Sequence, residues 1–235
     1  MEIINIAAYK FLTLKNELLT VLQSQLREGA LVSHLKGTIL LSTEGINLMI
    51  AGERKNVDRY KQFLSCIQTL GDLVYKETLS ASYPFAKLVV QIKREIVTMR
   101  CADIHPEKET APHISPEMFR RYYQQKQNMV ILDTRNDFEV TMGTFENAIN
   151  LHLRSFSDFP KAIDQLPESF KNECILTFCT GGIRCEKASA LMIKKGFKKV
   201  YQLDGGILHY YEKCGSNYFK GKCFVFDKRI AITAD

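Results

Sequence analysis

The run Ile175-Leu176-Thr177-Phe178-Cys179-Thr180-Gly181-Gly182-Ile183-Arg184-Cys185-Glu186-Lys187-Ala188 places a thiol, two glycines and an arginine within six residues. Its apolar start reads as a buried-type strand ending at Cys179. The glycines make a loop, and a helix follows from about Arg184 to Glu186, with Ala188, Leu191 and Met192 inward and Gly196 closing it. A thiol at the carboxyl end of a strand that feeds a helix amino terminus lies where open α/β sheets bind ligands. Loop N–H groups, the positive end of the helix and the fixed charge of Arg184 all favour a thiolate. Such surroundings lower a cysteine from roughly 8.5 into the range of about 3.5 to 7.5. Cys179 is therefore the expected nucleophile, cradled by Thr180, Gly181, Gly182, Ile183, Arg184 and Cys185. A strand-end core cysteine beside a structural turn is the plain alternative.

Arg184 is the fifth residue after Cys179, a Cys-x4-Arg spacing one residue shorter than that of cysteine-dependent phosphatases. The smaller cradle suits one sulfur atom better than a tetrahedral phosphate. Cys185 shares the helix start and reads either as a partner that closes a disulfide with an oxidised Cys179 or as a buried thiol. Upstream, Asp133, Arg135 and Glu139 form Asp-x-Arg-x-x-x-Glu after a short apolar run. They read either as a charged network fixing that loop against the active site or as a surface salt bridge.

The elements that position these residues fall into two rhythms. Residues 1–98 alternate strand and helix signals. Ile3 to Phe11 is β-rich, and Lys15 to Glu28 carries Leu19, Leu22 and Leu26 on one helical face closed by Gly29. Thr38 to Leu41 and Ile46 to Ile50 flank a turn at Glu44-Gly45, Asn56 to Leu70 is helical, and Ala86 to Ile92 is the last strand. The order β-α-β-β-α-β predicts a ferredoxin-like α+β domain. Residues 99–114, broken by Pro106 and Pro112, read as a linker. Ser115 then caps a helix with Pro116 at its first position. Over 115–215, short apolar runs at Met129 to Asp133, Ala148 to Leu151, Cys174 to Phe178 and Lys199 to Leu203 alternate with helices, which predicts an α/β domain with a central parallel sheet. Residues 216–235 read as a C-terminal tail.

Composition bounds the rest. With 46% hydrophobic and 25% charged residues the chain is not disordered, and nothing in it resembles a membrane span or a signal peptide, so a cytoplasmic protein is expected. The net charge of +6 is compatible with RNA. The basic groups Arg54-Lys55, Lys93-Arg94-Arg100, Arg120-Arg121 and Lys194-Lys195-Lys198-Lys199 argue for a polyanion only if they converge. The seven cysteines show no repeated pair and the five histidines are dispersed, so no metal site is expected. His209, just after the last parallel strand, reads as structural.

Residues 115 to 215 resemble a rhodanese domain, with the loop Cys-x-x-Gly-x-Arg at Cys179, the Asp133 to Glu139 segment, Gly143-Thr144-Phe145-Glu146-Asn147-Ala148-Ile149-Asn150 and Tyr201-Gln202-Leu203-Asp204-Gly205-Gly206-Ile207 in order. In that family the loop cysteine carries a persulfide, which maps onto Cys179 and leaves sulfur transfer as an alternative activity. Together with Lys36-Gly37-Thr38-Ile39-Leu40-Leu41-Ser42-Thr43-Glu44-Gly45-Ile46-Asn47 and Gly221-Lys222-Cys223-Phe224-Val225-Phe226-Asp227-Lys228-Arg229, the chain resembles the rhodanese-domain tRNA uridine hydroxylases over nearly its full length. That resemblance implies 5-hydroxyuridine formation at the tRNA wobble position, dependent on Cys179, with molecular oxygen as co-substrate, the reductant unspecified and no recognisable cofactor. The implied partner is the tRNA anticodon arm, with no DNA and no membrane.

Overall fold

A computed structural model describes residues 2–234, and the chain divides between Val97 and Thr98 into two compact units. The first is built from β1 (Ile3–Phe11), α1 (Asn16–Val32), β2 (Lys36–Ser42), β3 (Gly45–Gly52), α2 (Arg54–Ser65), β4 (Lys76–Ser80) and β5 (Leu88–Ile92). Its sheet runs β4-β1-β3-β2-β5. The first four strands have the antiparallel order of a ferredoxin-like domain. Leu19, Leu22 and Leu26 of α1 and Val57, Tyr60 and Leu64 of α2 belong to one buried core with Ile4, Ile6 and Ala8 of β1 and Ile46, Leu48 and Ile50 of β3.

Two expectations need correction here. The fourth strand of the motif is Lys76–Ser80, an edge strand whose composition, Lys-Glu-Thr-Leu-Ser, carries almost no apolar signal. The stronger run at Leu88–Ile92 is a fifth strand added parallel to β2 at the opposite edge. Gly29 also does not close α1, which continues to Val32. A side chain at Gly29 would meet the Phe63 ring at 2.5 Å, so this glycine permits close helix packing where helix termination was expected.

The second unit contains β6 (His113–Ile114), α3 (Pro116–Gln124), β7 (Val130–Asp133), α4 (Asp137–Val140), β8 (Gly143–Phe145), β9 (Ile149–Asn150), α5 (Phe159–Ile163), β10 (Cys174–Phe178), α6 (Ile183–Lys194), β11 (Lys199–Leu203), α7 (Gly206–Cys214), β12 (Phe219–Gly221), β13 (Cys223–Phe224) and β14 (Ala231–Ile232). Ser115 caps α3 by accepting from the Met118 N–H, with Pro116 in the first turn. Five strands form a parallel sheet in the order β6-β11-β10-β7-β9, with β10 at its centre. This is the α/β architecture with a central parallel sheet that the sequence predicts.

Both segments expected to flank this domain are part of it. In the stretch read as linker, His113 and Ile114 pair with β11, and the N–H of Ala111 donates to Ser189 Oγ. In the stretch read as tail, β12 pairs with β8, and Cys223 and Val225 are buried. Prolines and charge suppress the hydrophobic pattern of the first stretch. The second buries only alternate residues, a period too short to register against the longer elements before it. No helix among the described residues is long and apolar enough to cross a membrane.

Candidate active site

β10 delivers Cys179 to the carboxyl end of the central strand. The Cys179 Sγ there accepts a hydrogen bond of 3.1 Å from the N–H of Gly182. Gly182 has φ 98°, a left-handed conformation that glycine takes without strain and that turns the loop into α6. Behind the loop, the N–H groups of Ile207 and Leu208 at the start of α7 donate to the carbonyls of Cys179 and Thr180, each at 3.0 Å. Gly206 makes this approach possible. Its φ is 65°, and a Cβ there would lie 2.4 Å from the Cys179 carbonyl oxygen.

Cys179, Gly182, Arg184 and Cys185 are buried, while Gly181 and Ile183 are partly exposed and form the open side of the loop. A carboxylate from α4, the short helix after β7, holds Arg184. Its Nη1 and Nη2 donate to Glu139 Oε1 and Oε2 at 2.6 and 2.7 Å. The geometry is the planar fork that suits arginine and carboxylate. Arg184 Nη2 also reaches Thr180 Oγ1 at 3.4 Å, and Thr180 Oγ1 donates to the Phe224 carbonyl at 3.4 Å. Burial alone weakens the Arg184 charge, but Glu139 outweighs it and holds the guanidinium protonated.

The electrostatics separate the two neighbouring thiols. Burial pushes Cys179 up. A hydrogen bond from Cys185, the Arg184 charge and the backbone N–H groups of Arg184 and Cys185 together overcome it, so Cys179 sits well below the ordinary thiol range. Cys185 moves the opposite way, raised by burial and by the adjacent Cys179. The result is a thiolate at Cys179 with a protonated Cys185 as one of its donors. Both cysteines are unbridged.

Asp133 and Arg135 form a second buried pair beside the first. Arg135 donates from Nη2 to Asp133 Oδ2 at 2.6 Å and to the Gly143 carbonyl at 2.6 Å, and Thr144 Oγ1 donates to Asp133 Oδ2 at 2.7 Å. Asp133, Arg135 and Glu139 are each 0% exposed, so the trio is an internal network and not a surface bridge. Glu139 touches the loop directly. The Asp133–Arg135 pair braces the β7–α4 connection that carries it.

Residues 3–96 match the family described as UPF0176 acylphosphatase like domain, and residues 115–213 match the rhodanese-like domain. A tRNA uridine(34) hydroxylase of Cupriavidus taiwanensis is 44% identical over 237 residues, covering 99% of this chain and 83% of its own length. The protein of that name from Bordetella petrii is 45% identical over 235 residues, covering 98% of this chain and 92% of its own. The chain belongs to the tRNA uridine(34) hydroxylase family. Among solved structures, a rhodanese-like domain from Anabaena superposes over 48% of this chain and 80% of its own, with 19% identity and a TM-score of 0.40.

Several residues around this candidate site were not singled out by their sequence pattern. Glu186, at the buried start of α6, gathers Thr110 Oγ1 at 2.9 Å, Gln202 Nε2 at 3.1 Å and His113 Nε2 at 3.1 Å, tying the supposed linker to the active-site helix. Phe226 lies over the Arg184 guanidinium at 5.7 Å. The alternation of Cys223, Phe224, Val225 and Phe226 is the one signal that could have found it. The basic groups are partly committed: Arg54 binds Glu77, Lys194 binds Asp103 and Lys195 binds Asp164. His209 Nδ1 lies 3.2 Å from Asp204 Oδ2 and 3.2 Å from the Asp204 carbonyl oxygen. Among the described residues, no group of three or more His, Cys, Asp or Glu is placed to hold a metal ion.

Proposed function

We propose that this protein hydroxylates uridine 34 of tRNA to 5-hydroxyuridine, with Cys179 as the nucleophile and molecular oxygen as the source of the added oxygen. The observation that carries this reading is a buried thiolate, stabilised by Arg184 and by loop N–H groups, in a chain that matches tRNA uridine(34) hydroxylases over 98% or more of its length. A thiolate is a nucleophile matched to C6 of a uracil ring. Its addition forms a C6–S bond and moves the C5–C6 π pair toward O4, so that C5 becomes electron-rich and can attack oxygen.

The overall change replaces the C5–H bond with C5–OH. Oxygen supplies that atom, and its second atom leaves as water with two electrons and two protons from an external two-electron donor. Loss of the C5 proton and departure of Cys179 from C6 restore the aromatic ring and the free thiolate. Arg184 and the loop N–H groups stabilise the sulfur as it leaves. The single-stranded anticodon loop is the part of tRNA whose bases can be splayed into such a site, and the cytoplasm is where its substrate is found.

The test is high-resolution nucleoside mass spectrometry of tRNA incubated with the purified protein, a reductant and ¹⁸O-labelled oxygen. The expected product is uridine carrying one ¹⁸O at C5, absent with Cys179→Ser. Product formation by Cys179→Ser would overturn the reading, and a sulfur-substituted uridine would assign the site to sulfur transfer instead.

A further inference from the structure

The C-terminal segment after β12 alternates in burial: Cys223 and Val225 point inward, while Lys222 and Phe226 are exposed and Phe224 is half-buried. Its outward side therefore carries two phenyl rings. They stand edge to face with centroids 5.0 Å apart, and Phe224 makes the same contact, also at 5.0 Å, with Phe138. Phe138 immediately precedes Glu139, the carboxylate that holds Arg184.

Burying phenyl rings is among the larger apolar contributions to a fold, so rings left in water call for an explanation. Phe138 is 46% exposed and Phe226 is 48% exposed. The other exposed large apolar side chains described in this unit include Met142, from the same β7–β8 connection, and Ile230, whose carbonyl accepts from the Val225 N–H at 2.9 Å. The exposed apolar surface is thus concentrated where these two segments meet. The segment is also fixed in place. Thr180 Oγ1 donates to the Phe224 carbonyl, and the turn after Phe226 is held by Arg229, whose Nη2 donates to Asp227 Oδ2 at 2.6 Å. Lys222 and Lys228, both exposed, flank the rings in sequence.

We propose that Phe226, with Phe224 and Phe138, is a stacking platform for an unstacked nucleobase of the RNA strand that carries the target uridine, with Lys222 and Lys228 meeting its phosphates. Rings beside cationic side chains are the arrangement by which proteins hold single-stranded nucleic acid. Phe226 lies over the Arg184 guanidinium, which places the platform beside the loop that carries Cys179. The proposal rests on the tRNA reading above and specifies how that substrate is positioned.

The experiment uses the full chain and two anticodon stem-loop RNAs, with 2-aminopurine on the 5′ or the 3′ side of the target uridine. Wild type and Phe226→Tyr quench the fluorescence of at least one RNA, whereas Phe226→Leu, apolar but without a ring, does not. On unlabelled tRNA, Phe226→Leu raises KM by roughly tenfold with kcat little changed. The rate of Cys179 alkylation stays at the wild-type value, which shows an intact loop. Unchanged quenching and KM in Phe226→Leu overturn the platform. A raised KM accompanied by slowed alkylation also overturns it, because Phe226 then acts through Arg184 alone. If wild type quenches the probe but forms no hydroxylated uridine, the platform stands and the proposed reaction fails.

Discussion

Glu139 and Arg184 meet through two parallel hydrogen bonds of 2.6 and 2.7 Å, with the carboxylate 0% and the guanidinium 7% exposed. The pair links the connection after β7 to the helix after β10, two segments that lie side by side at the carboxyl edge of the sheet. It also fixes a positive charge beside a thiol that could not ionise in an apolar interior without one. A pair so far out of water is held in place mainly by the cost of breaking it.

Glu139→Gln keeps the shape but removes the charge that balances Arg184. Leaving one member of a buried pair uncompensated costs about 3 to 5 kcal/mol, so the urea midpoint of unfolding falls by a corresponding amount. Arg184 is then free to turn away from the loop, and alkylation of Cys179 at neutral pH slows with it. Unchanged stability in Glu139→Gln would show that water reaches the pair.

Cys179 titrates below the ordinary thiol range, and Cys185 above it. Only the deprotonated thiol reacts, so a depressed value keeps Cys179 reactive toward iodoacetamide as pH falls beneath about 8.5, the range in which a free cysteine loses its thiolate. Cys185 stays unlabelled over the same interval. Cys185→Ala removes a donor to the Cys179 sulfur and shifts the labelling profile of Cys179 to higher pH. Cys185→Ser, which retains an O–H donor, shifts it less. Peptide mapping by mass spectrometry separates the two sites, and identical profiles for the two variants would remove Cys185 from the set of donors.

Gly206→Ala tests the packing beneath the loop. The added methyl would meet the Cys179 carbonyl at 2.4 Å, and the residue would keep a φ of 65° that side chains with a Cβ rarely adopt. The loop must move to accept it. The expected outcome is an activity loss of at least tenfold, with a melting temperature lowered by several degrees and circular dichroism unchanged. Wild-type kcat/KM in this variant would show that the loop tolerates displacement.

Much of this arrangement was legible in the sequence, because the strand, the glycine loop and the helix around Cys179 are contiguous and each carries its own local pattern. The same holds for the Ser115 cap and for the leucines of α1. What escaped depends on contacts between distant segments. Asp133, Arg135 and Glu139 have a readable spacing, but whether they face water or Arg184 is decided by the packing of β7 against β10. Lys76–Ser80 is an edge strand with little apolar content, and it lost to the stronger run at Leu88–Ile92. Phe224 and Phe226 looked like part of a tail because the alternation that seats them spans only four residues.

The pairing of β12 with β8 and the seating of Phe224 against Phe138 also set an order on assembly. Glu139 and Cys179 emerge from the ribosome well before residue 226, yet the mouth of their site is finished only when that later segment folds back across Met142 and Gly143. During synthesis, at about 5 to 20 residues per second, the nascent unit passes through an interval in which its sulfur is present but its rim is missing. The rim of the site is thus contributed by chain made after the residues it borders.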